Sequence, residues 1–243
     1  DTIRSCILHS PLNPKKEYAY SDLGFILLKF AVEHVTEKSL DQYCQEEFYR
    51  KLGMHHTDFL AHKRLNKNNL VPSCVDKLYR KTELKGYVHD PVAALLGGIA
   101  GHAGLFSTAE DLAKMMQLYL NGGTYGGEYY FSPETMATFS CKNNLFPKNR
   151  RGLGFDKPEP DQTKINPVSK CLPLTSFGHT GFTGIMAWCD PDNKLVQLRI
   201  DSKAYADLHE KKLAAEDELR EIDAKIHAKN EEIQAMFERY YPH

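Results

Sequence analysis

Along the first third of the chain, Leu23, Ile26, Leu27, Phe30 and Ala31, together with His34, recur at helical spacing. This pattern predicts an amphipathic helix begun by Ser21 or Asp22 as its cap. The first twenty residues, with Pro11, Asn13 and Pro14 between short apolar stretches, predict irregular chain. Ser39-Leu40-Asp41-Gln42 has the form of a capping box for a second helix, and Gly53 stands where a helix C-terminus takes positive φ. Between about 57 and 95, Asn, Lys and Pro break the pattern and predict a long connection with short elements. Residues 97–104 form a glycine-rich loop. It leads into a second capping box, Ser107-Thr108-Ala109-Glu110, whose helix buries Leu112, Met115, Met116 and Tyr119 and stops at Asn121-Gly122-Gly123. Ser132-Pro133-Glu134 starts another helix, with proline at its first position.

Strand patterns follow Gly152. A short strand is predicted over 152–155, loop over 157–173, and a hairpin from 184–189 and 194–200. Asp190-Pro191-Asp192-Asn193 supplies its turn chemistry. From Asp201 the period changes to a heptad. Leu208, Ala215, Leu219, Ile222, Ile226, Ile233, Met236 and Tyr240 occupy its seam, interrupted by Lys212 and Lys229. A long amphipathic helix over 201–243 is expected, with self-association as one use of its seam.

Composition removes several classes of function. The 243 residues carry a formal net charge of -1, so no general basic field draws nucleic acid. No apolar run reaches the length of a membrane span. The glycine-rich loop lacks the G-K-[ST] ending of a phosphate loop. His55 and His56 are adjacent and would not share a helix face, and neither H-E-x-x-H nor C-x-x-C occurs. No metal and no cofactor are therefore expected, and the six cysteines are expected to be buried free thiols. The chain starts with aspartate and shows no signal peptide, so its start looks cut.

The chemistry must then come from side chains. Gly-x-Ser-x-Gly is absent, and no serine has lysine three residues later. Two segments remain. Tyr18-Ala19-Tyr20-Ser21-Asp22-Leu23-Gly24-Phe25 lies at a helix start, and Phe177-Gly178-His179-Thr180-Gly181-Phe182-Thr183-Gly184 lies at the head of a strand. Either alone is more often packing or chance.

Their order is more informative. Tyr20 to Asp22, then Lys51 to Thr57, then 97–123, then 178–192 is similar to class C β-lactamases and related esterases and D,D-peptidases. The likeness runs over roughly residues 17–200 and extends to the branch fused behind a glycoside hydrolase in gut Bacteroidota. It implies an α+β, β-lactamase/transpeptidase-like fold, with a helical lobe against an antiparallel sheet and N-terminal strands missing. Residues 1–200 would form this domain, in part, and 201–243 a helical tail.

The resemblance also implies a mechanism: a serine of Ser-x-x-Lys forms an acyl-enzyme on an ester or amide. Tyr20 matches the proton-shuttling tyrosine. His179-Thr180-Gly181 matches the Lys/His-Thr-Gly strand, whose basic residue and hydroxyl hold a carboxylate or developing charge. Gly181 leaves room for substrate, and the Phe182 N–H is one oxyanion donor. Two departures stand out. Asp22 replaces asparagine and cannot donate a hydrogen bond to a substrate carbonyl, and His179 replaces lysine. Both lean away from β-lactam turnover and toward an esterase or peptidase with a small-molecule, peptide or ester substrate. With Ser-x-x-Lys absent, this stretch is expected to be inactive alone. The alternatives are a non-catalytic relative that binds a peptidoglycan-type ligand, and an assembly module built on the tail. The family resemblance places such a protein in the bacterial periplasm or cell envelope.

Overall fold

The computed structural model describes residues 2–12, 14, 17–143 and 149–200, so the expected tail helix lies outside the described residues. The chain opens on a helix, α1 (Thr2–Leu8), where irregular chain was expected, and none of its side chains is buried. The predicted amphipathic helix is α2 (Leu23–Thr36), with Ile26 and Lys29 facing inward. Asp22 occupies its cap position without a side-chain cap bond, and Ser21 Oγ accepts from the Leu23 N–H at 3.2 Å. The second helix, α3 (Leu40–Cys44), runs on into a π-helical turn, Gln45–Tyr49. Ser39 does not cap it. Glu33 of α2 reaches across to the Leu40 N–H at 3.0 Å, so a tertiary contact replaces the predicted local one. Gly53 takes φ 68° as expected.

The stretch read as a connection holds α4 (Ala61–Arg64), then an antiparallel pair, β1 (Pro72–Asp76) and β2 (Thr82–Lys85), and α5 (Pro91–Leu95). α6 (Ala109–Leu120) follows, capped by Thr108 through the Asp111 N–H. Its buried residues are Asp111, Met116 and Leu118. The predicted Leu112, Met115 and Tyr119 are only half-buried. The difference has a physical cause, because α6 is clamped between two apolar clusters. Leu118 joins Tyr49, Leu52 and Met54 in one, and Met116 joins Phe177 and Cys189 in the other. Asp111 is buried because it is satisfied: it accepts from the His56 N–H at 2.7 Å and the Thr57 hydroxyl at 3.0 Å.

A two-residue ribbon, β3 (Thr124–Tyr125) and β4 (Glu128–Tyr129), leads to α7 (Pro133–Ser140), which Ser132 caps as expected. No strand forms over 152–155. Instead Asp156 makes an isolated bridge to Gly178. The last sheet is antiparallel, in the order β5 (Phe177–Thr180), β6 (Ile185–Asp190), β7 (Leu195–Ile200). The predicted hairpin is present, and His179-Thr180 belongs to a strand of its own beside it. The cysteines depart from expectation, because only Cys189 is buried and Cys6, Cys141 and Cys171 are exposed. Burial pushes the Cys189 thiol up to about 12, and it donates to the Met116 carbonyl across the α6–β6 contact.

Two glycines permit the close approaches that set the fold around α2 and β5. A Cβ on Gly101 would stand 2.1 Å from the Phe25 carbonyl oxygen of α2. One on Gly178 would stand 2.2 Å from the Ala187 carbonyl oxygen and 2.6 Å from the Trp188 ring. Gly101→Ala must push α2 outward, and we expect a loss of about 1–3 kcal/mol in urea unfolding, with Gly24→Ala, which meets nothing within 4 Å, as the control near zero.

Candidate active site

Tyr20 stands in the turn ahead of α2, and His179 and Thr180 lie on β5, with Gly181 and Phe182 just beyond. Tyr20, Asp22, His179, Thr180, Gly181 and Phe182 all line one cleft of ≈ 1360 Å³. Tyr20 is 58% exposed, and its ring centroid lies 6.3 Å from that of His179, with the planes tilted by 35°. The two segments 159 positions apart in sequence therefore meet, as the motif order requires.

A residue the sequence did not single out joins them. The Arg151 guanidinium carbon sits 4.7 Å from the Tyr20 ring centroid, and Arg151 Nη1 lies 2.9 Å from His179 Nε2. The other imidazole nitrogen, Nδ1, lies 2.7 Å from the Thr180 carbonyl oxygen. Arg151 is placed by Asp156, which is 1% exposed. Arg151 Nη2 forms an ion pair with Asp156 Oδ2 at 2.9 Å, while Arg150 donates to both carboxylate oxygens at 2.8 Å. Asp156 is tied to β5 by two backbone bonds with Gly178, at 2.7 and 3.1 Å. Its neighbour Lys157 donates to the carbonyls of Ser140, Thr175 and Ser176, which joins the end of α7 to the lead into β5. Burial holds the Lys157 ammonium below its ordinary pKa. No signal in Arg150-Arg151-Gly152 points to a histidine 28 positions later, so spacing alone could not find Arg151.

Beyond β5 the chain turns tightly, with the Gly181 N–H donating to the Ile185 carbonyl at 2.6 Å. The Phe182 N–H has no backbone acceptor among the described residues, which leaves it available to a ligand. Phe182 is 81% exposed, and its ring stacks on His89, at 4.8 Å and 6° between planes. His89 lies between β2 and α5. Burial pushes its imidazole below the ordinary histidine range; the Asp90 charge opposes the shift and Arg80 adds to it. Asp90 caps α5 through the Ala93 N–H at 2.7 Å and accepts from His102 Nε2 at 2.9 Å. His89, Asp90 and His102 all border the same cleft, and none of them belongs to the two segments that the sequence marks as candidate chemistry. Among the described residues no cluster of His, Cys, Asp or Glu is grouped to hold a metal ion, and no helix is long and apolar enough to cross a membrane.

Comparison with known proteins bears on this arrangement. The sequence profile described as Beta-lactamase matches residues 1–215. An Escherichia coli (strain K12) protein provisionally named a D-alanyl-D-alanine carboxypeptidase is 34% identical over 214 residues, covering 82% of this chain and 49% of its own. The chain thus spans about half the length of the curated relatives it matches. Among solved structures, a penicillin-binding protein homologue from Caulobacter crescentus aligns with a TM-score of 0.57 at 17% identity, over 82% of this chain and 58% of its own. Simvastatin synthase from Aspergillus terreus aligns with a TM-score of 0.56 at 17% identity, over 77% of this chain and 50% of its own. At these identities the likeness shows a shared fold, and it agrees with the helices packed on an antiparallel sheet described above.

Two consequences can be measured. Asp156→Asn leaves two arginines facing an amide. We expect a loss of about 3 kcal/mol in urea unfolding, the low end for a broken buried pair because both arginines stay partly wet. His89, depressed by burial, binds fewer protons folded than unfolded, so its contribution rises with pH. Stability should hold above about pH 6.5 and fall as the solution is acidified below it. His89→Gln should flatten that part of the stability–pH curve, and an unchanged slope would refute the assignment.

Proposed function

The chain belongs to the Beta-lactamase family, and from that premise we propose that it supplies the proton-transfer and substrate-holding part of a serine acyl-transfer site acting on an ester or amide. The observation that carries this reading is the meeting of Tyr20 with His179 on one cleft wall, 6.3 Å between ring centroids, beside the exposed Gly181-Phe182 turn. The nucleophilic serine comes from sequence outside these 243 residues. It attacks the substrate carbonyl, the Tyr20 oxygen receives its proton and passes it to the leaving group, and water then releases the acyl group. The Phe182 N–H donates to the oxyanion as it forms, a contact typically worth about 3 kcal/mol in such sites.

The substrate follows from the wall. The cleft exceeds the roughly 300–1,000 Å³ of a small-molecule pocket, which suits a peptide-sized ligand. Asp22 accepts hydrogen bonds and donates none when ionised, so it cannot hold a lactam or amide carbonyl. That counts against a β-lactam and favours an ester, while the provisional name of the Escherichia coli relative supports a D-alanyl-D-alanine type peptide, whose amide carbonyl is then held by groups other than Asp22, and a site of action in the cell envelope. The absence of Ser-x-x-Lys within 1–243 favours a second reading, a non-catalytic relative that binds such a peptide.

The 243-residue chain should hydrolyse nitrocefin and p-nitrophenyl acetate no faster than background. Turnover lost on Tyr20→Phe would contradict the placement of the nucleophile elsewhere. Titration with N-acetyl-D-alanyl-D-alanine should shift the backbone amide signals of Tyr20 and residues 179–182 saturably, and silence there would remove both readings. A Ser-x-x-Lys segment in the reading frame ahead of residue 1 separates the catalytic reading from the binding one.

A further inference from the structure

His179 stands where the acyl-transfer reading needs a cation to hold a substrate carboxylate. Its hydrogen bonds are incompatible with that task. A guanidinium has only donors and a carbonyl oxygen only accepts. The contact between Arg151 Nη1 and His179 Nε2 at 2.9 Å therefore requires a lone pair on Nε2. The contact between His179 Nδ1 and the Thr180 carbonyl at 2.7 Å requires a proton on Nδ1. Two independent partners select one state, the neutral imidazole protonated on Nδ1, and they occupy both ring nitrogens. No donor and no charge remain on His179 for a substrate.

Arg151 has what His179 lacks. Of its five N–H groups, one goes to His179, and Nη2 forms an ion pair with Asp156 at 2.9 Å; among the described residues the guanidinium meets no other acceptor. Its side chain is 19% exposed and borders the cleft. The cleft's other permanent cation, Lys29, is paired with Glu33 at 2.8 Å. Asp22 on the same wall would repel an anion. Arg150 is already taken by both oxygens of Asp156 and stands 3.6 Å from Glu159.

Resting on the acyl-transfer reading, we propose that Arg151 is the specificity-determining residue of the cleft: it receives the free carboxylate of a peptide-like substrate and at the same time locks His179 as a neutral Nδ1–H spacer. A planar fork with spare donors suits a carboxylate better than a point charge does. Its stacking on Tyr20, at 4.7 Å, fixes the fork relative to the residue that moves the proton, so recognition and chemistry share one rigid group.

Two measurements on the 243-residue chain test this. Long-range ¹H–¹⁵N spectra of the His179 ring, with no ligand, should show Nδ1 protonated and Nε2 unprotonated. Arg151→Met, which keeps the aliphatic stem without donors or charge, should relax that state toward a mixture of tautomers. A proton on Nε2 in the parent chain would overturn the lock. Separately, N-acetyl-D-alanyl-D-alanine and its C-terminal carboxamide are titrated against the parent chain, Arg151→Met and Arg151→Lys. The parent should prefer the carboxylate by roughly 10–100-fold. Arg151→Met should bring the ratio near one with the amide affinity kept, and Arg151→Lys should restore part of it. A merely structural role would weaken both ligands alike, and a ratio unmoved by Arg151→Met would overturn the proposal. Binding of neither ligand to the parent would instead remove the acyl-transfer reading, while the spectra still decide the lock.

Discussion

The site depends on one buried carboxylate. Asp156 is almost inaccessible to water, and a lone charge in that position would be strongly unfavourable. It is stable there because two charged hydrogen bonds from Arg150 and an ion pair with Arg151 converge on it and because its own backbone pairs with Gly178. The two kinds of contact act in different directions. The backbone pair fixes Asp156 to β5, and the carboxylate then fixes Arg151 to Asp156. Arg151 consequently arrives at His179 and Tyr20 with its orientation already set. Lys157 extends the arrangement by drawing three carbonyls from α7 and the lead into β5 onto one ammonium. Side chains, in place of a ladder, thereby tie residues 156 and 157 to the end of α7 and to the lead into β5.

The close packing around α2 and β5 has a second source. Gly101 lets the glycine-rich loop lie on the backbone of α2, and Gly178 lets β5 lie against Trp188. Both approaches leave less room than a methyl group needs. The turn that carries Tyr20 and the strand that carries His179 are thus brought within aromatic contact by residues chosen for lacking a side chain. Gly101 of the loop serves helix packing, and His102 of the same loop lies 2.9 Å from Asp90.

These two devices explain what could be read from the sequence. Local codes were legible: the period of α2, the positive φ at Gly53, the Ser132 cap and the 190–193 turn each need only a few adjacent residues. So was the pairing of Tyr20 with the His179 strand, because motif order carries it. What failed depends on distant partners. Ser39 has the right neighbours for a capping box, yet Glu33 outcompetes it from another helix. The 152–155 stretch has strand composition, but its partner strand pairs instead with Asp156. The inner face of α6 is shifted by the two clusters that clamp it, and Asp111 becomes a core residue only because residues 56 and 57 deliver donors to it. Arg151 belongs to this class too. An arginine beside an arginine carries no directional signal until the fold supplies Asp156.

The substitutions at 22 and 179 are best understood together, through the charge on the cleft wall. Relative to the motif pattern that the sequence resembles, a histidine in place of lysine at 179 and a carboxylate at position 22 would by themselves leave a wall unable to attract an anion. Arg151 restores a cation within hydrogen-bonding distance of the substituted position, 2.9 Å from His179 Nε2. The histidine is then suited to its neighbour: it can accept from an arginine on one ring edge and donate to a carbonyl on the other while remaining uncharged. A lysine at 179 would repel Arg151, and an aliphatic residue would remove the contacts that His179 makes with Arg151 Nη1 at 2.9 Å and with the Thr180 carbonyl at 2.7 Å. His179 therefore fits this site as a neutral bridge that allows a second, stronger cation to approach the tyrosine.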